Sequence, residues 1–446
     1  MPKETQLLII GAGITGAALA FAAARYSNIK RIAVVEKYPL SAHVNSNGYQ
    51  NSQTLHAGDI ETNYTLAKAC EVKAAAQYVK NYARQFGGDE QCLFQFSKMV
   101  LGVGEQEVEL LRKRYLEFGP HFPNHELFDR AQIKAIEPNV VKHLGGERKE
   151  PLIACGSRQD YCAADFAALT RSFLHQAQLV SGTETEMLMS TKILSIHAEG
   201  AAYRVQTSKG RIDAEMVVVC AGGHSLLFAH SMGHGLHLSC LPVAGSFFHT
   251  PRLLNGKVYT VQNNKLPFAA VHGDPDLLCP GKTRFGPTAL VLPLLERRRY
   301  RTFFDFLKVV RLDRNVLAGL KNLLSDREIR RFILRNFLYE LPFFHRYFFV
   351  KNVRKIIPDL GPYQIRYARG MGGLRPQLLD KNTRGLALGE AKIDTSARLI
   401  FNITPSPGAS SCLDNARQDL IRLASQSGYE FRDSQWLSEL GEVASL

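Results

Sequence analysis

Three glycines near the amino terminus have the spacing of a phosphate-binding turn. Gly11, Gly13 and Gly16 lie in the stretch LLIIGAGITGAALAFAAA, between an apolar run and an alanine-rich run. In such a turn the first glycine permits a tight bend, the second lets the backbone approach a pyrophosphate, and the third lets a helix pack closely on a strand. Glu36 follows twenty residues after Gly16, where a carboxylate can bind the ribose hydroxyls of adenosine. The pattern therefore predicts a bound dinucleotide, and the acid disfavours NADP because it would repel a 2′-phosphate.

The elements that must position this turn form a βαβ unit. The sequence predicts a strand at Leu7–Ile10, an alanine-rich helix that begins near Gly13, and a second strand at Arg31–Lys37. Residues 7–24 carry no charge and would also suit a signal peptide or a membrane span. The three glycines favour the nucleotide-binding interpretation, and no run from residue 30 onward is long and apolar enough to predict a span.

A long polar passage, Tyr38–Thr65, follows where a nicotinamide enzyme would usually add further βα units. A helix is predicted at Leu66–Gly87, another strand at Ala214–Gly223, and a last helix at about 411–425. A nucleotide domain assembled from separated segments favours FAD, because a flavin ring must reach a second domain. The predicted cofactor-binding residues are Gly11, Gly13, Gly16, Glu36, Lys37, Ser52, Gln53, Thr54, His56, Ala221, Gly222, Pro407, Gly408, Ala409 and Ser410.

Length and composition predict two domains of ordinary globular character. The chain has 446 residues, 45% hydrophobic and 22% charged, and its eight cysteines are scattered without a CxxC motif. Such cysteines argue against a zinc cluster or a disulfide scaffold and fit a reducing cytoplasm. We expect an α/β fold in which a Rossmann-like FAD-binding domain (1–85, 155–235 and 385–430) is interleaved with a mixed-sheet substrate domain (86–154 and 236–384).

Basic residues are concentrated in one segment, 296–355. It holds sixteen Lys and Arg against six Asp and Glu, which is ten of the net +14 charges. Within it, apolar residues and one asparagine recur at helical spacing, at Ile329, Phe332, Ile333, Asn336 and Phe337. Such an amphipathic helix either packs on the core with a solvated basic face or lies on an anionic membrane surface. No helix-turn-helix, RNP or zinc pattern accompanies the charge, so nucleic acid is not an expected partner.

Longer motifs carry a resemblance to a known family. They are GAGITG, NSQTLHAGDIETNYT, CLPVAGSFF, GKVYTVQNNKLPFAAVHGDPD, GKTRFGPTALVLP, GLRPQ and FNITPSPGASSCL. By these motifs the chain resembles flavoproteins of the D-amino-acid-oxidase-like superfamily and, within it, the malate:quinone oxidoreductases of the short bacterial type. HAG and PFAAVH…GPTA are also similar to 2-hydroxyglutarate oxidases.

The resemblance implies FAD, oxidation of (S)-malate to oxaloacetate, electron transfer to a membrane quinone, and a peripheral location on the inner face of the cell membrane. Two alternatives stay open. One is a FAD-dependent oxidase or dehydrogenase of another 2-hydroxy acid, such as L-2-hydroxyglutarate. The other is a non-catalytic, flavin-binding protein that associates with a membrane.

The implied reaction needs a base for the substrate hydroxyl, and histidine titrates near the required pH. Of the fourteen histidines, His272 and His56 lie inside the resembling motifs. We expect His272, placed where a strand meets a loop, to be the base, and His56 to pack beside the flavin. A further set is predicted to be surface or turn residues without a metal, because no carboxylate stands at ligand spacing: His224, His230, His234 and His237.

The two carboxylates of such a substrate need fixed cations, ideally arginines. The resemblance places the carboxylate-binding role of the GLRP motif on Arg375, which lies between flexible glycines and Pro376. Arg284 in GKTRFGPTA is the candidate for the second carboxylate. Three further residues are expected to line the pocket: Tyr259, Gln262 and Asp274.

Overall fold

The computed structural model describes residues 4–86, 92–262, 270–387, 391–404 and 408–441. In these residues the strands are β1 (Glu4–Ile10), β2 (Arg31–Val35), β3 (Leu93–Val103), β4 (Glu126–Phe128), β5 (Lys142–His143), β6 (Gly146–Glu147), β7 (Leu152–Ala164), β8 (Glu184–Leu188), β9 (Ile193–Glu199), β10 (Ala202–Thr207), β11 (Gly210–Val219), β12 (Leu238–Ala244), β13 (Phe248–Pro251), β14 (Lys257–Thr260), β15 (His272–Pro275), β16 (Lys282–Gly286), β17 (Leu290–Val291), β18 (Arg366–Tyr367), β19 (Leu374–Asp380), β20 (Gly385–Ala387), β21 (Ala391–Asp394) and β22 (Leu399–Ile403).

The helices are α1 (Ile14–Tyr26), α2 (Leu66–Gln85), α3 (Glu105–Phe118), α4 (Arg130–Ile136), α5 (Pro138–Val141), α6 (Phe166–Gln178), α7 (Gly223–Ser231), α8 (Thr302–Val310), α9 (Arg314–Ser325), α10 (Arg327–Leu338), α11 (His345–Val353), α12 (Cys412–Ser425) and α13 (Asp433–Leu440), with a 3₁₀ turn at Gly119–His121. Within the described ranges, no helix is both long and apolar enough to cross a bilayer.

A largely parallel sheet forms the nucleotide-binding part of the molecule. Strand β1 lies between β11 and β2, with β22 beyond β11 and β8 beyond β2, all in parallel. Strands β9 and β10 extend the sheet as an antiparallel meander from β11, and β21 pairs antiparallel with β22. Leu7 to Ile10 are buried, as strands covered on both faces require. The alanine-rich α1 packs between α6 and α12 because its small side chains permit close helix contact. The predicted Rossmann-like unit is confirmed.

Two further sheets form the rest of the molecule. An eight-stranded mixed sheet has the order β18-β13-β16-β15-β14-β3-β7-β4, and a four-stranded sheet has the order β17-β12-β19-β20. The expected domain boundary at residue 155 falls inside β7, which pairs with β3 from Leu93↔Ala164 to Val103↔Leu152. The expected boundary at 385 likewise falls at the start of β20, which pairs with β19. The boundary at 155 therefore cuts β7, and the boundary at 385 separates β20 from its partner β19, because long-range pairing assigns these strands to their sheets.

The basic segment folds into four short helices, α8 to α11. Asp313 and Asp326 cap α9 and α10 by accepting hydrogen bonds from backbone N–H groups of their first turns. The helix predicted around 329–337 is confirmed as α10. Its Asn336 is buried and accepts a hydrogen bond from the Ala289 N–H at 2.7 Å, whereas Phe337 remains 51% exposed. Ile329, Phe332 and Ile333 are half-buried, so the apolar stripe packs on the rest of the protein only in part.

Candidate active site

The glycine turn after β1 has the backbone that the sequence predicted. Gly11 has φ +111°, and a Cβ there would lie 2.4 Å from the Cys220 carbonyl oxygen. A Cβ on Gly16 would lie 2.0 Å from the Gly11 carbonyl oxygen, so neither position admits a larger residue. A Cβ on Gly13 would meet only Ser46 Oγ, at 3.3 Å. No side chain of the turn itself covers the backbone at Gly13, next to the N-terminus of α1. A pyrophosphate can therefore approach the backbone N–H groups there, as in other dinucleotide-binding turns.

Glu36 lies directly after β2, beside this turn. Its carboxylate accepts hydrogen bonds from the Ala12 and Tyr38 N–H groups, each at 3.0 Å. Lys37 is instead paired with Glu296, at the start of the basic segment. Two other predicted residues follow β11 on the other side of the turn, where Gly222 has φ +58°: Ala221 and Gly222. The dinucleotide-binding edge is therefore built by three adjacent strand ends.

The polar loop, Gln50–Thr65, makes hydrogen bonds to the eight-stranded mixed sheet as well as to the nucleotide-binding part of the molecule. Gln53 is buried with φ +50°, a conformation that costs energy for a residue other than glycine. Its amide donates to the Gly48 carbonyl and accepts from the Leu277 N–H. Thr54 Oγ1 lies 2.7 Å from the Tyr259 hydroxyl and accepts a hydrogen bond from Lys257 Nζ at 3.2 Å. The loop thus joins the nucleotide-binding part to the strands that carry the other candidate residues.

His56 connects this loop to the segment before α12. Its backbone N–H donates to Ser410 Oγ at 2.9 Å, which brings two predicted flavin-binding segments together. His56 Nδ1 lies 2.5 Å from Glu61 Oε1, a partner that the sequence analysis did not identify. The predicted residues Gly408, Ala409 and Ser410 lie in this segment before α12, whereas Pro407 lies outside the described residues. In the polar loop, the Ser52 carbonyl accepts a hydrogen bond from the Thr54 hydroxyl.

His272 belongs to a buried cluster on the adjacent strands β14, β15 and β16. It is the first residue of β15, rather than the last residue of a strand, and its Nδ1 lies 2.6 Å from Asp274 Oδ2. Its ring stacks on Tyr259 with centroids 4.4 Å apart. Lys257 Nζ donates to Asp274 Oδ1 at 3.2 Å. The register that pairs Tyr259 with His272 and Asp274 with Arg284 creates this cluster.

The electrostatics of the cluster keep His272 neutral and Asp274 ionised near pH 7. Burial lowers the pKa of His272, and the attraction of Asp274 offsets that effect only in part. Burial alone would raise the pKa of Asp274, but the attraction of His272 and Lys257 holds it below its ordinary value. A neutral imidazole fixed by a carboxylate can accept a proton and then be stabilised as the imidazolium.

Arg284 is the most unusual cation of the cluster. Its side chain is 0% exposed, and in the described part of the chain none of its three guanidinium nitrogens has a hydrogen-bond partner. The guanidinium lies over the Phe247 ring, 4.4 Å from its centroid, and its Nε is 4.0 Å from Asp276 Oδ2. A buried guanidinium without hydrogen bonds is costly, and a planar carboxylate would supply the missing acceptors.

Arg375 reaches the same neighbourhood from the four-stranded sheet. It lies in β19, opposite Val243 of β12. Burial lowers the pKa of Arg375, and the nearby Tyr259 acts in the opposite direction. Gln262, which is expected to line the pocket, accepts a hydrogen bond from the Asn63 N–H and donates its backbone N–H to Thr62 Oγ1. Gln262 therefore holds the polar loop.

Histidines lie near carboxylates elsewhere too, and two of these places bear on a candidate metal site. His224 lies 3.7 Å from Glu296 and 3.6 Å from Asp305, so it does have carboxylate neighbours, but they are distant in sequence. In the described ranges, one ligand atom from each of His249, Asp276 and Cys279 lies within 4.8 Å of the others. Asp276 is already bonded to His249 at 2.8 Å and lies near the Arg284 cation, which disfavours a second positive charge there.

Two residues of the site, Lys257 and Glu61, were not predicted from the sequence. Lys257 precedes Tyr259 by two residues, so the two-residue period of a strand could have placed both on one face. Glu61 lies five residues after His56 in an irregular loop, where no periodicity predicts a contact.

Comparison with known proteins agrees with this geometry. The family model "FAD dependent oxidoreductase" matches residues 6–408. The chain is 46% identical to a probable malate:quinone oxidoreductase of Campylobacter jejuni, covering 98% of this chain and 99% of that protein. It is 43% identical to a malate:quinone oxidoreductase of Helicobacter pylori (99% and 98% covered) and 27% identical to human mitochondrial L-2-hydroxyglutarate dehydrogenase (91% and 86%).

Solved structures of the same fold are distant in sequence. An FAD-bound L-alpha-glycerophosphate oxidase from Mycoplasma pneumoniae superposes with a TM-score of 0.63 at 15% identity, covering 94% of this chain and 95% of that chain. Glycine oxidase from Geobacillus kaustophilus gives a TM-score of 0.63 at 12% identity, with both chains fully covered. These likenesses concern the fold alone.

Proposed function

Since the chain belongs to the FAD dependent oxidoreductase family and, within it, to the malate:quinone oxidoreductases, we propose that it oxidises (S)-malate to oxaloacetate with a membrane quinone as electron acceptor. FAD is its cofactor, held by the glycine turn, Glu36, the polar loop and the segment before α12. When bound, FAD supplies the hydride acceptor. The observation that carries the proposal for the substrate is the buried Arg284 without hydrogen-bond partners, set beside the His272–Asp274 pair.

In this proposal Arg284 and Arg375 bind the two substrate carboxylates. Arg284 has its donors uncommitted to the protein in the described residues, and its two-pronged geometry suits a carboxylate. Arg375 belongs to the four-stranded sheet and Arg284 to the eight-stranded sheet, so the two cations would contact the substrate from different sheets. Two carboxylates on two fixed guanidinium groups would orient the C2 hydroxyl between them.

His272 is proposed as the base that takes the hydroxyl proton. Its neutral form is favoured by burial, and Asp274 at 2.6 Å would stabilise the imidazolium that forms. Tyr259 stacks on the ring and restricts its rotation. Asp274 and Tyr259 therefore act as positioning residues for His272.

L-2-hydroxyglutarate is the second candidate substrate, and the similarity to human L-2-hydroxyglutarate dehydrogenase favours it specifically. It differs from malate by one methylene between the carboxylates, so the separation of Arg284 and Arg375 would decide between the two. A single experiment compares them: anaerobic bleaching of the flavin absorbance of the holoprotein by malate, by 2-hydroxyglutarate, and by glycine as a control. Bleaching by malate is expected. Bleaching by 2-hydroxyglutarate alone would replace the proposed substrate, and no bleaching by either would favour a non-catalytic flavoprotein.

We further propose peripheral attachment to the anionic inner face of the cell membrane through the basic segment. Large apolar side chains are exposed there among the arginines, including Tyr300 at 80%, Phe304 at 67% and Phe343 at 83%. Aromatic residues beside basic ones favour the interface of an anionic bilayer. Residues of α10 and α11 also line a small recess with Val271, next to His272. A quinone that arrives from the bilayer would thus meet the protein near the proposed site.

A further inference from the structure

The chain crosses from the four-stranded sheet to the eight-stranded sheet within residues 245–247, between β12 and β13; these residues are called the sheet connection below. Val243, near the end of β12, is the register partner of Arg375. Phe247 lies under the guanidinium of Arg284, whose Cζ is 4.4 Å from the centroid of the ring. The two cations proposed to bind the substrate carboxylates are therefore joined by the sheet connection, and its conformation contributes directly to the distance between them.

Backbone hydrogen bonds hold the sheet connection to the segments on both sides of it. The Gly245 N–H donates to the Gly373 carbonyl at 3.0 Å, directly before β19. The Ser246 N–H donates to Thr288 Oγ1 at 2.9 Å, and the Ser246 carbonyl accepts from the Thr288 N–H at 3.0 Å, just after β16. A Cβ on Gly372 would lie 1.8 Å from the Gly245 carbonyl oxygen, so the two backbones are in direct contact. The sheet connection is thus fixed to the strands that carry both proposed carboxylate-binding arginines.

The carboxylate of Glu340, a residue of the basic segment, accepts hydrogen bonds from three hydroxyl groups at this place. Its Oε1 accepts from the hydroxyls of Ser246 at 2.5 Å and Thr288 at 2.7 Å. Its Oε2 accepts from the hydroxyl of Tyr367, in β18, at 2.9 Å. The Glu340 side chain is only 15% exposed, so these charge-assisted hydrogen bonds are largely shielded from water and hold the three hydroxyls firmly.

Arg297 supplies the opposite charge and a second set of contacts. Its guanidinium donates hydrogen bonds to the Gly245 carbonyl and to the Ser246 hydroxyl, and its Nη2 lies 3.8 Å from Glu340 Oε2. Although Arg297 belongs to the basic segment, its side chain is only 10% exposed, so its charge is directed into the protein. Arg297 and Glu340 therefore hold the sheet connection as one electrically neutral pair.

We propose that Arg297 and Glu340 are positioning residues that fix the separation of Arg284 and Arg375, and that they thereby make the site select four-carbon dicarboxylates over five-carbon ones. A connection held in one conformation presents the two arginines at one separation, which suits one chain length, whereas a loose connection accommodates both lengths. One methylene group in a substrate pocket is typically discriminated by about 10-fold to 200-fold. The inference rests on the proposed function for the assignment of the two arginines to the substrate carboxylates and for the length of the favoured substrate.

Calorimetric titration of the holoprotein with succinate and with glutarate tests the proposal without requiring turnover. In the parent, succinate should bind about tenfold or more tightly than glutarate. Arg284→Met identifies the site, because the binding that is compared must be lost in that variant. Glu340→Gln keeps the length of the side chain but removes its charge. It should reduce the preference for succinate to about threefold or less, while the flavin content stays the same.

A second variant, Arg297→Met, provides the same test independently and should lose the preference to a similar extent. The double variant should be no worse than the poorer single one, because both side chains act through the same connection. Glu107→Gln is the matched control, since Glu107 also accepts a hydrogen bond, from the Val103 N–H at 3.0 Å, and pairs with Lys355 at 2.5 Å, away from the sheet connection. This control should melt at a lower temperature but keep the preference of the parent.

An equal preference for succinate in the parent, Glu340→Gln and Arg297→Met would overturn the proposal, and the pair would then be a structural element only. A parent that binds neither acid, or that does not discriminate between them, would overturn it as well. Failure of the proposed function would be seen separately, as a flavin that malate does not bleach in a parent that still prefers succinate.

Discussion

Replacement of Arg284 by methionine should separate substrate binding from stability. The guanidinium is fully buried without a hydrogen bond to the described residues, and its Nε only approaches Asp276 Oδ2 at 4.0 Å. Methionine of similar length therefore removes a weakly paired charge and keeps the apolar contact with Phe247. The loss of one charge-assisted carboxylate contact in a buried site costs about 2–5 kcal/mol. At about 1.4 kcal/mol per factor of ten, kcat/KM for malate should fall by roughly 30-fold to 3,000-fold. The melting temperature should change little, because no protein hydrogen bond is broken and the Asp274 and Asp276 carboxylates keep their partners Lys257 and His249.

Steady-state kinetics with a soluble dye acceptor, flavin content and thermal melting measure this prediction. Arg148→Met is the matched control, because Arg148 is also buried but donates to the Lys355 carbonyl at 2.9 Å and pairs with Glu150 at 3.3 Å. That variant should lose stability while its KM for malate stays near the parent value. An Arg284→Met protein that melts early yet keeps its kcat/KM would show that Arg284 is a structural residue, and the reasoning would fail.

Three other predictions concern different parts of the molecule. His272→Ala should retain flavin, but malate should no longer reduce it. In the parent, kcat/KM should rise with pH and reach a plateau once His272 is neutral, because only the neutral imidazole accepts a proton. The pKa seen in this profile should lie below 6.5. Lys98→Met should reduce the free energy of unfolding by about 3–5 kcal/mol, since Asp59 and Asp160 lose their buried partner. In the parent, Lys98 lowers the pKa of both carboxyls, so their contribution to stability is present above pH 3.8 and is lost as the pH falls further. An acid-denaturation series of the parent and the variant measures this difference. Phe343→Glu/Phe344→Glu should weaken sedimentation with anionic liposomes without changing the melting temperature, because both side chains are exposed; unchanged binding would remove this segment from the membrane contact.

Local signals explain which parts of the fold were predictable. Gly11, Gly16 and Glu36 belong to one continuous unit of about thirty residues, where each spacing has a direct steric meaning. The helix α10 was predicted from the helical spacing of apolar residues between 329 and 337, and the structure confirms it. The boundary at residue 155 could not be predicted, because β7 is held by its partner β3, some sixty residues earlier, rather than by its own composition. Long-range pairing has no local signature in a single sequence.

The candidate site was predictable as a set of residues but not as a set of contacts. His272, Arg284 and Arg375 were each identified from a motif, yet their partners are decided by strand register. A shift of one residue between β14 and β15 would turn His272 away from Tyr259 and break the stacking. The residues that sequence analysis missed, Lys257 and Glu61, are those whose role exists only through such contacts.

Two histidine–carboxylate pairs, one within the polar loop and one on the strands beside it, have surroundings that favour different roles. His56 is bonded through its backbone to Ser410 and through its ring to Glu61, within the segments assigned to the cofactor. His272 instead lies near Arg284, because Arg284 stands two residues before Gly286, the strand partner of His272. His272 and Arg284 are therefore diagonal neighbours on one face of β15 and β16, about 7–8 Å apart, a separation that long side chains can bridge. The register of β15 and β16 thus places the proposed base and the proposed carboxylate-binding cation on the same face, where one bound substrate can contact both.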